Sequence, residues 1–142
     1  MNIATIITTL LSSCFGPGTQ DYGYNVGTGY KLVRTSGHQI SVIPENGNDG
    51  TKPEIKPKVV QIAWNEQFVM VKQFGLKRAY PDNPNNTYEV PDENQVQYFI
   101  LDTIQLELYG GYDLNEFSEK RKLLGISDDI KLKDVNSYPK GK

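Results

Sequence analysis

Two apolar segments with a very short connection constrain the fold of this chain more than any other feature. Residues 58–64 and 67–73 carry apolar side chains at both odd and even positions, and Asn65-Glu66 separates them. A two-residue connection is typical of a β-hairpin, and apolar residues on both faces of a strand indicate burial on both sides. The sequence therefore predicts a central hairpin that other elements must cover above and below.

Two further hairpins are predicted on either side of this one. Residues 30–35 and 38–43 alternate apolar with polar positions around Ser36-Gly37, which suits a tight turn. Residues 97–102 and 106–109 form a third pair that ends at Gly110-Gly111. These patterns indicate antiparallel strands that follow each other along the chain.

A single helix is predicted near the C-terminus. Asp113 and Glu116 have the spacing of a capping box, and Gly125 suits a helix that ends at about Leu124. Leu114, Phe117 and Leu124 are expected on the face that covers the sheet. The predicted fold is therefore α+β, an antiparallel β-meander of about five to seven strands with one C-terminal helix packed on it.

Cys14, the one cysteine of the chain, ends the motif Leu11-Ser12-Ser13-Cys14 after the apolar run Ile3–Leu11. This order resembles the lipobox of bacterial lipoproteins, in which the cysteine is lipidated and becomes the mature N-terminus. A single cysteine cannot form an internal disulfide, and lipidation would consume its thiol. The alternative is a free, partly buried thiol in a cytosolic protein. The apolar run is shorter than the roughly 20 residues of a membrane span.

The lipobox resemblance implies a division of the chain. Residues 1–13 would be a signal peptide, and residues 14–29, with five glycines, would be the lipidated cysteine and a flexible tether. Residues 30–138 would form a single globular domain, followed by a tail at 139–142. The leader lacks the Lys or Arg that usually starts a signal peptide, which indicates a translation start upstream of Met1.

Composition argues against nucleic-acid binding and against metal or cofactor chemistry. The net charge is −2, and basic residues are mixed with acidic ones along the chain. With one cysteine and one histidine, His38, a zinc site of three or four ligands is not expected. Residues 46–50 are rich in oxygen donors but lack the bidentate glutamate that completes an EF-hand loop.

Enzyme activity is not predicted either. His38 lies in a predicted hairpin, and the chain has no nucleophile-elbow motif to supply a serine partner. Asp128 and Asp129 are neighbours in a polar turn, where carboxylates are usually solvated. The other carboxylates show no spacing that selects a glycosidase pair. We therefore expect no catalytic residue, no metal ligand and no cofactor.

The remaining candidates for function are surface residues. Basic and aromatic side chains could bind a carboxylate, a glycan or a protein partner, although an ordinary solvated rim of the sheet would have the same composition. The candidate binding residues are Arg34, His38, Trp64, Arg78 and Tyr80.

Several whole segments resemble an uncharacterised family of small bacterial lipoproteins, a domain of unknown function. The segments that carry the resemblance are residues 29–35, 38–40, 60–66, 75–81, 98–102 and 116–126, within Gly29–Tyr138. The resemblance implies an exported, lipid-anchored domain and brings no activity with it.

The sequence thus predicts a lipid-anchored bacterial cell-envelope protein, exported from the cytoplasm, that is a non-enzymatic binding or interaction module. An interaction or immunity-like module would present an exposed apolar or charged patch. The alternative is a small-ligand or glycan binder, which would have a concave site lined by Arg34, Trp64, Arg78 and Tyr80. An enzyme would instead place His38 in a cleft beside a carboxylate and a hydroxyl.

Overall fold

The computed structural model describes residues 22–138, which contain eight β-strands, one α-helix and a short 3₁₀ helix. The elements are β1 (Tyr22–Val26), β2 (Tyr30–Arg34), β3 (Ile40–Pro44), β4 (Val59–Trp64), β5 (Phe68–Arg78), β6 (Glu89–Asp102), β7 (Glu107–Tyr112), α1 (Leu114–Leu123), β8 (Lys133–Asp134) and the 3₁₀ helix (Val135–Ser137). Cys14, the predicted leader and the predicted tail at 139–142 lie outside the described residues.

The strands form two antiparallel sheets. The first has the order β1-β2-β3, and the second has the order β7-β6-β5-β4-β8. The strands β4 to β7 follow each other as a meander, and β8 returns to pair with the free edge of β4. The predicted antiparallel fold with one C-terminal helix is confirmed, and its strands are divided between two sheets.

The two sheets pack face to face around an apolar core. Buried side chains of the first sheet meet one face of the second, and five of them are at most 2% exposed. The core residues are Tyr24, Val26, Tyr30, Leu32, Ile40, Val42, Ile55, Val59, Ile62, Val69, Val71, Leu101 and Val135. Alternate residues of the central strands supply this core, as the period-two pattern predicted.

The opposite face of the second sheet is covered by α1. Phe117 is the buried residue of this helix, and it packs with Met70 and Ile100 of the central strands in a second, smaller core. The central hairpin β4–β5 is therefore covered on both sides, as its two apolar faces predicted.

The helix begins and ends as its sequence predicted. The Asp113 carboxylate accepts from the Glu116 N–H at 2.8 Å, and the Glu116 carboxylate accepts from the Asp113 N–H at 2.8 Å. Gly125 follows the helix with a φ of 75°, a conformation that favours glycine. Leu114 differs from the prediction, because it lies in the first turn and is 57% exposed.

The predicted flexible tether at 14–29 does not extend over its last residues. Residues 22–26 form β1, which pairs with β2 in the register Tyr22↔Arg34 to Val26↔Tyr30, and Val26 is buried. Glycine-rich composition indicates a flexible segment, but Tyr24 and Val26 alternate toward the core and hold this strand in place. The folded domain therefore begins before residue 30.

The hairpin β5–β6 extends beyond the neighbouring strands as a two-stranded arm. In this arm, residues 75–78 pair with residues 89–92 after an irregularity at Phe74/Gly75, and residues 79–88 form the loop at its tip. Within residues 22–138, no helix is long and apolar enough to cross a membrane.

Candidate functional site

The domain has two ends, and the predicted binding residues are divided between them. The arm end contains the β2–β3 loop (residues 35–39), the start of β4 and the arm (residues 75–92). The turn end contains the connections β1–β2 (27–29), β4–β5 (65–67) and β6–β7 (103–106). Arg34, His38, Arg78 and Tyr80 lie at the arm end, and Trp64 lies at the turn end.

Two shallow clefts meet at Gly37 on the arm end. The first has a volume of about 240 Å³, and the second has a volume of about 410 Å³. The first is lined by Arg34, Gly37, Ile40, Lys58, Val60, Asp134, Val135 and Asn136. The second is lined by Ser36, Gly37, His38, Gln39, Thr87, Tyr88 and Glu89. The structure thus places Arg34 and His38 in neighbouring clefts.

His38 lies in the β2–β3 loop, where the sequence had predicted the start of a strand. The predicted two-residue turn is a five-residue connection, in which the Thr35 N–H donates to the Gln39 carbonyl at 3.1 Å. The His38 ring packs against the Tyr88 ring with 6.1 Å between centroids. Its Nδ1 is buried and makes no hydrogen bond within the described residues. The ring therefore serves as a packing contact between the loop and the arm.

Arg78 organises the tip of the arm. Its Nη2 donates to the carbonyls of Asn83 at 2.7 Å and Asn86 at 2.9 Å. These bonds satisfy loop carbonyls and leave less of the guanidinium for a ligand. Tyr80 and Tyr88 of the same loop are 55% and 56% exposed.

Trp64 lies far from the arm. It ends β4, five residues after Val59, and five steps along a strand span about 17 Å. Its ring packs on Tyr138 with 5.3 Å between centroids, and the Tyr138 hydroxyl donates to the Ile62 carbonyl at 3.2 Å. Burial raises the pKa of Tyr138. The ligand site predicted from Arg34, Trp64, Arg78 and Tyr80 is therefore not gathered in one place.

Hydrogen bonds join the three connections of the turn end. The Thr28 N–H donates to the Thr103 hydroxyl at 2.9 Å, and the Thr28 hydroxyl donates to the Glu66 carbonyl at 2.7 Å. The Thr103 hydroxyl donates to the Gln67 carbonyl at 2.7 Å. Gly27 has a φ of 60°, and a Cβ there would lie 2.7 Å from the Thr103 methyl carbon. The connections are thus held together by close packing and by side-chain bonds.

Asp102 fixes the β6–β7 turn at the same end. Its side chain is buried, and its carboxylate accepts from the N–H groups of Ile104 at 3.0 Å and Gln105 at 2.9 Å. The Gln67 side-chain amide donates to the second carboxylate oxygen at 3.0 Å. This arrangement is an aspartate-initiated turn that is also tied to the β4–β5 connection.

The β6–β7 turn presents apolar side chains to solvent. Ile104 is 56% exposed, Leu106 is 42% exposed, and Leu108 at the start of the edge strand β7 is 36% exposed. Leu106 has a φ of 57°, a left-handed conformation that costs a non-glycine residue about 1 kcal/mol. We call Ile104, Leu106 and Leu108 the turn-end apolar patch.

Sequence reasoning missed this patch. Leu106 was predicted at the start of the strand 106–109, and Asp102 was predicted as the last residue of the strand before it. The signal that could have located the turn is Asp102 itself, because aspartate at the first position of a turn commonly accepts backbone N–H groups two and three residues later.

The described residues do not assemble a centre for metal binding. Among residues 22–138, no three side chains of histidine, cysteine, aspartate or glutamate lie close enough together to hold an ion. The turn end presents exposed apolar side chains, and the arm end presents hydrogen-bond donors with tyrosine rings.

Comparison with known proteins bears on the family of the chain. Searches of curated proteins and of solved structures found no match. A family model described as protein of unknown function (DUF3997) matches residues 27–136, from the β1–β2 connection to the 3₁₀ helix. This match spans most of the chain and nearly all of the described domain, so the chain belongs to the DUF3997 family of proteins of unknown function.

Proposed function

We propose that the chain is a lipid-anchored bacterial cell-envelope protein whose domain is a non-enzymatic interaction module. The domain binds a protein partner through the turn-end apolar patch. The observation that carries this proposal is the exposure of Ile104 and Leu106 on a turn that buried Asp102 holds in place.

The turn-end apolar patch has two properties of a protein-binding surface. Exposed aliphatic side chains lose contact with water when a partner covers them, which favours association. The hydrogen bonds around Asp102 and Thr103 fix the backbone before binding, so little conformational entropy is lost on association. Leu106 also keeps a strained left-handed backbone while its side chain points partly into solvent. Such strain is common where a surface is shaped for contact.

Site-specific photocrosslinking in cells tests the partner site. A photoreactive amino acid at Leu106 should give one discrete protein adduct, and Ile104→Asp should remove it, because a charge in an apolar contact is costly to desolvate. The control is the same probe at Leu123, which is 80% exposed on α1. Identical adducts from both positions would contradict a specific patch. Because Ile104 is exposed, Ile104→Asp should change stability by only about 0.5 kcal/mol, and thermal unfolding checks this.

The anchor is proposed at Cys14, from its position after the apolar run and eight residues before β1. Cys14→Ala should abolish lipidation and leave the leader uncleaved, since the lipid acceptor is gone. Ser13→Ala, which retains a small residue before the cysteine, should behave as the wild type. Globomycin should block processing of the wild type. A Cys14→Ala protein that is still mature and membrane-bound would refute the anchor.

The second candidate is a binder of a small anionic ligand or glycan. The observation that favours it is the cleft of about 240 Å³ in which Arg34 and Lys58 lie. Cationic donors in a cleft suit a carboxylate, although Asp134 lines the same cleft and opposes anion binding. Glycan-array binding that is lost in Arg34→Ala, with an unchanged crosslink at residue 106, would favour this candidate over the partner site.

A further inference from the structure

We propose that the arm end of the domain lies against the lipid bilayer, with Tyr80 and Tyr88 at the level of the headgroups. This inference rests on the anchor proposed at Cys14 and assigns the domain a defined orientation on the membrane. The arm end contacts the bilayer into which the lipid of Cys14 is inserted. The turn end consequently points away from the membrane.

The path of the chain supports this orientation. β1 begins at Tyr22, which is paired with Arg34 at the arm end of the first sheet. The chain that leads back to Cys14 therefore leaves the domain at the arm end. Eight residue steps separate Cys14 from Tyr22, and even a fully extended chain of that length spans at most about 28 Å. A lipidated Cys14 would thus keep the arm end close to the bilayer.

The surface of the arm is suited to the interface between water and lipid. Tyr80 and Tyr88 are more than half exposed, and both belong to the loop at the tip of the arm. Tyrosine has an apolar ring and a polar hydroxyl, and it is enriched at the headgroup level of membranes for this reason. Two such rings on one projecting loop are the features of the arm that best match a lipid surface.

The tip of the arm is ordered by contacts that would survive insertion. The Ala79 N–H donates to the Tyr88 carbonyl at 2.8 Å, and Arg78 binds two loop carbonyls. The His38 ring packs on Tyr88 and joins the arm to the first sheet. The position of Tyr88 is therefore coupled to the body of the domain, so contact of the ring with lipid would orient the whole domain.

The charges of the arm favour interfacial contact over attraction to anionic lipid. Lys77 and Arg78 are the basic residues of the arm, and three acidic residues of the arm outnumber them. The acidic residues of the arm are Asp82, Glu89 and Asp92. In the cleft beside the arm, Asp134 lies with Arg34 and Lys58. Lys77 also lies 4.0 Å from the Asp92 carboxylate. A surface without excess positive charge gains little from anionic headgroups, so we expect contact to depend weakly on lipid charge.

The length of the domain separates its two ends. β6 runs from the arm to the β6–β7 turn over 14 residues, which corresponds to roughly 40 Å of extended strand. With the arm on the bilayer, the turn-end apolar patch would be held away from the lipid and accessible to a partner. In this orientation, the arm end contacts the bilayer and the turn end binds the partner.

Fluorescence quenching by lipids tests the orientation in the full-length lipidated protein. Because lipidation occupies Cys14, an introduced cysteine is a unique free thiol for an environment-sensitive dye. The three variants are Tyr88→Cys, Tyr80→Cys and Ile104→Cys. Each is reconstituted in phosphatidylcholine vesicles that contain a lipid with a quencher in its headgroup region. Dyes at residues 80 and 88 should lose most of their emission, and the dye at residue 104 should keep nearly all of it.

Each outcome of this experiment decides a separate point. Equal quenching at all three positions, or stronger quenching at residue 104, would overturn the orientation while the membrane-bound protein still supports the anchor. Recovery of the protein in the soluble fraction, before any labelling, would refute the anchor, and the orientation with it. Tyr80→Cys provides an independent measurement of quenching on the arm if Tyr88→Cys disturbs the packing of His38.

Discussion

Replacement of Phe117 with alanine is expected to destabilise the protein by about 3–5 kcal/mol, the cost typical of removing a buried aromatic side chain. Phe117 is 3% exposed and stacks on Tyr98 with 5.0 Å between ring centroids. The Arg121 guanidinium lies 5.9 Å from the same ring. A ten-residue helix is unstable alone in water. The single buried side chain of α1 therefore carries most of its attachment to the sheet.

Denaturant unfolding measures this loss, and Leu123→Ala is the matched control. Leu123 is also an apolar residue of α1, but it is 80% exposed, so its truncation should change stability by about 0.5 kcal/mol or less. Hydrogen exchange should show faster opening of α1 in Phe117→Ala, with slower exchange retained in β1 to β3. Equal losses in the two variants would contradict the assignment of Phe117 as the anchor of the helix.

The helix was also the element that the sequence predicted best, for a physical reason. The capping box of Asp113 and Glu116 and the glycine at residue 125 are local signals, and they act within a few residues of the helix ends. The face of the helix was predicted less well. Leu114 was expected to cover the sheet but lies exposed in the first turn, whereas Phe117 and Leu124 pack in the smaller core as predicted.

The hairpins were predictable because period-two alternation and short connections are also local. The division into two sheets was not predictable, since it depends on which strands meet across the core, such as β1 to β3 against Val69 and Val71 of β5. The edge strand β8 is two residues long and has its partner, Gln61, far away in the sequence. The glycines in residues 23–29 led to the prediction of a flexible tether where β1 lies. The position of β1 is fixed by its pairing with β2, which the local sequence does not indicate.

The candidate site could likewise be predicted only as far as local sequence signals reach. Basic and aromatic residues could be selected from the sequence, but their grouping depends on strand direction, which separates Trp64 from Arg78 and Tyr80. The turn-end apolar patch was missed because exposure of an aliphatic residue is a tertiary property. Leu106 looked like a strand residue, and only the bonds from Asp102 to the N–H groups of Ile104 and Gln105 explain why it is in a turn.

Replacement of Asp102 with alanine is the second prediction with a large effect, and we expect a loss of about 3 kcal/mol in the free energy of unfolding. Hydrogen bonds to charged groups contribute about 1.5–3 kcal/mol each, and their losses do not add fully. The variant leaves two backbone N–H groups and the Gln67 amide without their acceptor at a partly buried site.

Asp102→Asn separates the contribution of shape from that of charge. The asparagine oxygen can still accept from the N–H groups of Ile104 and Gln105, and rotation of the Gln67 amide would supply an acceptor for the new NH₂ group. We therefore expect a smaller loss, about 1 kcal/mol, from the weaker neutral bonds. Asp128→Ala, at an exposed position, should change stability by about 0.5 kcal/mol or less. Denaturant unfolding ranks the three variants, and an Asp102→Ala protein as stable as Asp128→Ala would contradict the assigned network.

The same substitution connects the stability of the turn end to the proposed binding. If Asp102 holds Ile104 and Leu106 in position for a partner, Asp102→Ala should reduce the crosslink from residue 106 even under conditions where the domain stays folded. Asp102→Asn should retain most of it. Phe117→Ala, whose buried contacts lie under the helix, should leave the crosslink unchanged at temperatures below its unfolding transition. Loss of the crosslink in Asp102→Ala but not in Phe117→Ala would show that binding depends on the geometry of the β6–β7 turn, because both substitutions lower global stability by similar amounts.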